Sequence, residues 1–414
     1  MSGRRSSRRP TSRRALLVVF VGVVLIAPSA YSSASSLARG DPSFAKPQRY
    51  RSGKLFGYRL HPDGLAIGDL NADGRRDIVT TGHDLSRKLG GVSVFLNRGG
   101  GFGTASAYRT GKLPSAAAIG DVNGDGMPDV ATANTDDVSV LINRGDGRFS
   151  KSVAYAAREP TDVAIGDLSG DGRADIVTVN AKMYVNSISV YVNRGDGTFQ
   201  PRVDYRIGPV PVSVALADLN EDGHLDVAAA CQSNTVSVLL NRGDGTFPPR
   251  VNYAAPQEPG SIAIGDMNGD RSPDLVTANT SGDYEAPLNS VSVFLNRGDG
   301  SFRKRDYRAK GAEGAEVVFF GPVAVGDLNA DRKQDVAVGQ DFGDGKDNPK
   351  RVAVLLGRGD GSFTRRIDYP TGRSATDAWV PRGIAVGELN GDGKADIVQA
   401  KFIDVSVLVN RTRR

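Results

Sequence analysis

The sequence predicts an all-β fold: a seven-bladed β-propeller of four-stranded blades, with an N-terminal strand closing the last blade. Three observations predict it. An acidic loop recurs seven times along the chain, its first acid at Asp69, Asp121, Asp167, Asp218, Asp266, Asp327 and Glu388. Short apolar runs of period two flank every copy, and no stretch beyond the N-terminal region shows convincing helical periodicity. The repeat is also cut unequally at the two ends, as a ring requires.

The elements of one unit follow in order. Strand A is the apolar run before the acidic loop, and strand B is the β-branched run after it, as in Asp129-Val130-Ala131-Thr132-Ala133. Strand C alternates, as in Val236-Ser237-Val238-Leu239-Leu240, and ends at an asparagine in most units. A glycine-rich turn follows, Arg-Gly-Asp-Gly in five copies beginning at Arg144, Arg194, Arg242, Arg297 and Arg358. Gly-Asp-Gly supplies the turn residues of a bulged hairpin, so the Arg-Gly-Asp tripeptide reads as turn chemistry rather than as a recognition sequence. Strand D then runs from a Phe to a Tyr, as at 149–155 and 247–253. Four-stranded units in this number suit a propeller. The chain ends on a strand C at 405–410 and begins, after its first segment, with an unpartnered D-like stretch at 44–50. That stretch is expected to complete blade 7 and to remove an open sheet edge.

Composition bounds the function. The chain has 414 residues, 39% apolar and 24% charged, with one cysteine (Cys231) and three histidines. A disulfide framework and any Cys- or His-based metal centre are thereby excluded. The formal charge of +5 suggests a nucleic-acid partner, but its location argues against one. Residues 1–34 carry six arginines and no acid, then an unbroken apolar run at 15–27 and small residues after it. This is the layout of an export signal, with a twin-arginine character at Arg13-Arg14, and the run is short for a membrane span of ~20 residues. Without it the balance is 46 basic against 47 acidic residues, so no nucleic-acid partner and no stable membrane span are expected. The expected organisation is a signal at 1–34, a linker at 35–43, the propeller at 44–410 and a basic tail at 411–414, in a monomer secreted from or held in a bacterial envelope.

The loop spacing is Asp-x-Asn-x-Asp-Gly-x-x-Asp. Side-chain oxygens at positions 1, 3, 5 and 9, with a backbone carbonyl at 7, suit a hard cation that takes six to eight oxygens. Crowded carboxylates repel one another unless a cation offsets them; the alternative is that they cap hairpins as Asx-turns. In these residues the chain resembles the FG-GAP/VCBS repeat family, whose calcium loops occur in the integrin alpha-subunit propeller. The resemblance covers 44–410 and implies calcium as cofactor. It implies ligands Asp69, Asn71, Asp73 and Asp77; Asp121, Asn123, Asp125 and Asp129; Asp167, Ser169, Asp171 and Asp175; and Asp218, Asn220, Asp222 and Asp226. It extends to Asp266, Asn268, Asp270 and Asp274, to Asp327, Asn329, Asp331 and Asp335, and to Glu388, Asn390, Asp392 and Asp396. Arg271 and Arg332 stand where glycine is expected, so weaker sites are expected in blades 5 and 6.

Strand alternation puts A–B and C–D connections on one rim and B–C and D–A connections on the other. The first rim is uniform. On the second, connections are long around blades 5, 6, 7 and 1, including 83–91, 281–289 and 340–350. Long loops on a rigid scaffold are where function usually sits. The aromatics Tyr284, Phe319, Phe320, Phe342 and Trp379 mark this crescent as the expected ligand face. The leading expectation is a calcium-binding adhesion module for a cell-surface glycan or protein. The alternative is a polysaccharide lyase or hydrolase using Glu285, Asp341, Asp344, Asp347 or Asp377, which form no pattern, so no catalytic residue is assigned.

Overall fold

The computed structural model describes residues 41–86, 88–181, 185–280, 290–308, 319–341, 350–372, 383–401 and 404–412. Among them no helix occurs, and seven four-stranded antiparallel sheets form, together with one two-stranded hairpin. Blade 1 illustrates the order. Strand A is His61–Gly68, B is Asp77–His83, C is Gly90–Phe95 and D is Ser106–Arg109. The innermost strands touch in ring order, and strand A of blade 7, Gly383–Gly387, returns to strand A of blade 1.

Closure occurs as the split unit predicts. Gln48–Arg51 pairs antiparallel with strand C of blade 7, Asp404–Leu408, with Tyr50 opposite Val405. Phe44 bridges Asn410, and the Ala45 amide donates to the Val409 carbonyl at 2.8 Å. Beside the closing strand, Ser43 donates its amide to Thr412 Oγ1 at 3.0 Å, and Arg411 donates to the Ser43 carbonyl. The expected signal lies outside the described residues.

Apolar side chains of the B and C strands alternate between two neighbouring blades, so the core is divided. Among the described residues seven hydrophobic clusters form, one at each blade–blade interface. Val130 and Leu141 of blade 2 pack with Leu70 and Val94 of blade 1, whereas Ala131 and Val138 pack with Ile176 of blade 3. Glycine ahead of most acidic loops lets the inner strands approach. A Cβ on Gly120 would stand 2.6 Å from Ile165 of the next blade, and one on Gly387 would stand 2.6 Å from Ile67 across the closure.

The outer strands are joined by a ring of aromatic pairs. The D-strand tyrosine of each blade meets the D-strand phenylalanine of the next edge-on: Tyr108 with Phe149, Tyr155 with Phe199, Tyr307 with Phe363 and so on round to Tyr50 with Phe102. Each such pair contributes about 0.5–1.5 kcal/mol beyond its buried area. Tyr155, Tyr205, Tyr253 and Tyr307 also donate to the carbonyls of Gly197, Gly245, Gly300 and Gly361 in the neighbouring turn. Within that turn the aspartate behaves as an Asx residue, Asp196 Oδ1 accepting the Thr198 amide at 2.9 Å. The glycine that follows the Arg-Gly-Asp tripeptide thus serves blade-to-blade docking in four of these turns.

Candidate metal centre and ligand rim

Each acidic loop is a turn held by its own carboxylates. In blade 1, Asp69 accepts the Asp73 amide at 3.1 Å and the Gly74 amide at 2.8 Å, while Asp73 accepts the Arg75 amide at 2.9 Å. Asn71 accepts from the Asp73 amide and donates its Nδ2 to Asp73 Oδ2 at 3.0 Å. The other loops follow this scheme, with Asp121, Asp167, Asp218, Asp266 and Asp327 in the place of Asp69. Glu388 reaches the Gly393 amide at 3.2 Å with its longer side chain.

The turn requires left-handed backbone at positions 4 and 6. Position 6 has φ of 80° at Gly74 and 82° at Gly126, but also 76° at Arg271 and 67° at Arg332. The two arginines therefore keep the loop shape in a backbone region that strains a non-glycine residue. Position 4 carries the same demand, with φ of 55° at Ala72, 59° at Glu221 and 61° at Ala330. The sequence reading missed it; the glycines at 124, 170, 269 and 391 were the signal.

Position 9 does something the spacing did not reveal. Asp77 is fully buried; one of its oxygens accepts the Leu70 amide at 2.9 Å and the other the Asn97 amide at 2.7 Å. Asn97, at the end of strand C, then donates Nδ2 to the Leu389 carbonyl of blade 7. The same chain of contacts repeats: Asn143 to Leu70, Asn193 to Val122, Asn241 to Leu168, Asn296 to Leu219 and Asn410 to Leu328. The aspartate thus couples its own loop to strand C, and the asparagine couples strand C to the loop of the preceding blade. Blade 6 departs, with Gly357 in the asparagine position. There the Met267 carbonyl of blade 5 accepts the Gly361 amide at 2.8 Å instead.

Burial pushes the Asp77, Asp129, Asp226, Asp274 and Asp396 carboxyls up to about 6 and Asp335 to about 7; accepted amides oppose the rise and the neighbouring loop acids add to it. Burial raises Asp175 as well. Among the described residues no three Asp, Glu, His or Cys side chains are grouped to hold a metal ion as they stand, and the loop carboxylates accept loop amides. The donor set nevertheless fits calcium. It is all oxygen, and its charges crowd one another at Asp69, Asp73 and Asp77. Each carboxylate oxygen that accepts one amide keeps a second lone pair for a cation.

On the opposite rim the inner strands line a central cavity of about 720 Å³. Ser213 donates to Asp162 Oδ2 at 2.9 Å, and the Val323 amide donates to Ser261 Oγ at 3.2 Å, so polar side chains lace successive blades there too. Enclosure raises the Asp162 carboxyl to about 6. Of the expected ligand face, Phe319 and Phe320 open strand A of blade 6, Phe319–Gly326; their side chains are not described. Tyr284, Phe342 and Trp379 lie outside the described residues, as do Glu285, Asp344, Asp347 and Asp377. Among the described residues no helix is long and apolar enough to cross a membrane.

A profile of FG-GAP-like repeats matches this sequence at 69–132, 121–178, 167–229, 218–277, 266–338 and 327–398. Integrin alpha-7 of Homo sapiens is 38% identical over 94 residues, 20% of this chain and 7% of the relative; that of Rattus norvegicus is 37% identical over 94 residues, 20% of this chain and 8% of the relative. The match thus spans a small part of either. Among solved structures, an Agrocybe aegerita lectin that recognises non-reducing terminal N-acetylglucosamine superposes with a TM-score of 0.50 at 23% identity, over 76% of this chain and 81% of that one. BBS1N in complex with ARL6DN superposes with a TM-score of 0.56 at 11% identity, over 91% of this chain and 99% of that one. At these identities the likeness is one of fold.

Proposed function

This chain belongs to the FG-GAP-like repeat family, and from that premise we propose that it is an exported, calcium-stabilised binding module. One rim holds the ions and the other holds a cell-surface glycan or protein. The observation that carries the reading is the contrast between the rims: seven near-identical all-oxygen loops on one, and connections of very different length on the other. Asp69, Asn71, Asp73 and Asp77, with their counterparts in the other six blades, would hold calcium, which supplies positive charge to crowded carboxylates. The ligand residues then orient strand C through Asp77 and its counterparts, so ion binding stiffens the joint between blades. Extracellular modules bind calcium at about 10⁻⁴–10⁻³ M, and binding to the folded state alone stabilises it. The mature protein is read as a monomer in the bacterial envelope or outside the cell, without a nucleic-acid partner.

Two measurements test this. Thermal unfolding in calcium and in EDTA should differ by well over 5 °C, with reversal on adding the ion back. Glycan-array binding should depend on the B–C/D–A rim. Identical melting curves in both buffers would overturn the calcium reading, and an array with no bound sugar would leave a protein partner as the ligand.

A further inference from the structure

Between strand D of blade 7 and strand A of blade 1 the chain makes a small hairpin, Lys54–Leu55 against Tyr58–Arg59. It stands on the variable rim and is firmly seated. Leu55 and Leu60 are 9% and 1% exposed, and a Cβ on Gly91 of strand C would meet both of them, at 2.5 and 3.1 Å. The Gly53 amide donates to Ser93 Oγ at 3.0 Å, and Arg59 donates to the Ser52 carbonyl at 2.8 Å. On this pedestal Phe56 is 74% and Tyr58 62% exposed. Phe56 has a φ of 48° and Gly57 one of 86°, the two-residue turn that favours Asn-Gly. A phenylalanine there forgoes burial and sits in a backbone region that bulky residues avoid. Most of its ring gains no burial on folding; an unfavourable residue on a rigid mount points to a contact made outside the molecule.

The surroundings indicate the partner's charge. Around the hairpin, Arg51 at the end of the strand that closes blade 7 and Lys54, Lys88, Arg109 and Lys112 on this rim of blade 1 are exposed. The acids of residues 48–68 and 83–112, Asp63 and Asp84, are turned inward at 6% and 3% exposure. Asp63 faces His83 Nδ1 at 2.6 Å, and Asp84 accepts the amides of Lys88 and Leu89.

We propose that this hairpin is the contact finger for an anionic glycan. The C–H face of a sugar ring stacks on Phe56 and Tyr58, and its carboxylate or phosphate groups are met by Arg51, Lys54 and Lys88. The proposal rests on the binding-module reading and names its ligand class. Two rings on a narrow tip suit a sugar better than a lipid surface, where anchoring needs a larger apolar insertion.

The test uses the full calcium-loaded chain, with polygalacturonate as the anionic probe, dextran as the neutral one, and phosphatidylglycerol vesicles. Wild type should bind polygalacturonate in a salt-sensitive way and dextran far more weakly. Phe56→Ala with Tyr58→Ala should weaken binding at least tenfold with an unchanged melting temperature. Phe56→Asn separates contact from structure: it should hold or raise the melting temperature while weakening binding. Lys54→Ala with Lys88→Ala should flatten the salt dependence. Equal affinity in wild type and the aromatic double variant would overturn the finger and leave the binding-module reading standing. Binding to vesicles without binding to polygalacturonate would overturn it in favour of a membrane contact. Binding to neither, or equal binding to dextran, would overturn the anionic class.

Discussion

The ring of Phe44 stands edge-on to that of Tyr369, with centroids 4.8 Å apart and planes at 74°. The same pairing joins the other blades, but here it spans nearly the whole chain. Tyr369 donates its hydroxyl to the Pro42 carbonyl, which takes the place of the glycine carbonyl in the other turns. Deleting residues 41–51 should therefore expose Asp404–Leu408 as an open edge and cause aggregation. Light scattering checks this; a truncated protein that stays monomeric with native stability would refute the closure. Phe44→Ala alone should cost about 1–3 kcal/mol, because the ring is only half-buried.

Asn241 is 4% exposed and its Nδ2 serves two carbonyls, Leu168 at 2.7 Å and Leu225 at 3.0 Å. Asn241→Ala leaves both without that donor and should cost roughly 2–4 kcal/mol in a urea titration. The reverse change in blade 6 should fail. A Cβ on Gly357 would meet the Gln334 carbonyl at 2.1 Å, so Gly357→Asn should destabilise although it restores the repeat pattern. A stabilised Gly357→Asn protein would show that this joint can readjust.

Arg271 and Arg332 hold glycine-like φ of 76° and 67°. Changing either to Gly relieves about 1–2 kcal/mol of left-handed strain, offset by about 0.4–1 kcal/mol of unfolded-state entropy. The expected net gain is a few tenths to about 1 kcal/mol without metal, and more with calcium, because a cation is also removed from the loop. Calorimetry at two calcium concentrations reads both effects.

The buried loop aspartates set a pH dependence. Asp77, Asp129, Asp226, Asp274 and Asp396 at about 6 and Asp335 at about 7 lie above the ordinary carboxylate range, so the folded state binds more protons than the unfolded chain between about 4 and 7. Without metal, stability should fall as pH rises through that window. Calcium favours the ionised form and should flatten or reverse the slope. Melting temperatures at pH 4.5 and 7.5, with EDTA and with calcium, measure it; a metal-free protein more stable at 7.5 would contradict these shifts.

Much of the fold was legible because the repeat is local. Strand order, turn residues and the Phe-to-Tyr segments recur about every 50 residues, and each copy corrects misreading of another. The acidic loops were legible as loops, but the second task of Asp77 was not. It depends on an amide at Asn97 and, through that residue, on a carbonyl at Leu389, almost three hundred residues away. The aromatic finger also went unnoticed. Phe56 and Leu55 look alike in a sequence, and only packing against Gly91 buries one and leaves the other out.

The sequence by itself determined seven blades, the closing strand and the turn chemistry, since these follow from periodicity and from residues a few positions apart. The tertiary structure decided which polar groups join one blade to the next. It turned the Arg-Gly-Asp turns into docking sites for tyrosines and made Asn143, Asn193 and their counterparts into ties between blades. The physical reason is that a buried amide must find an acceptor wherever the fold brings one. Which carbonyl stands opposite is set by the packing of neighbouring blades, not by spacing along the chain.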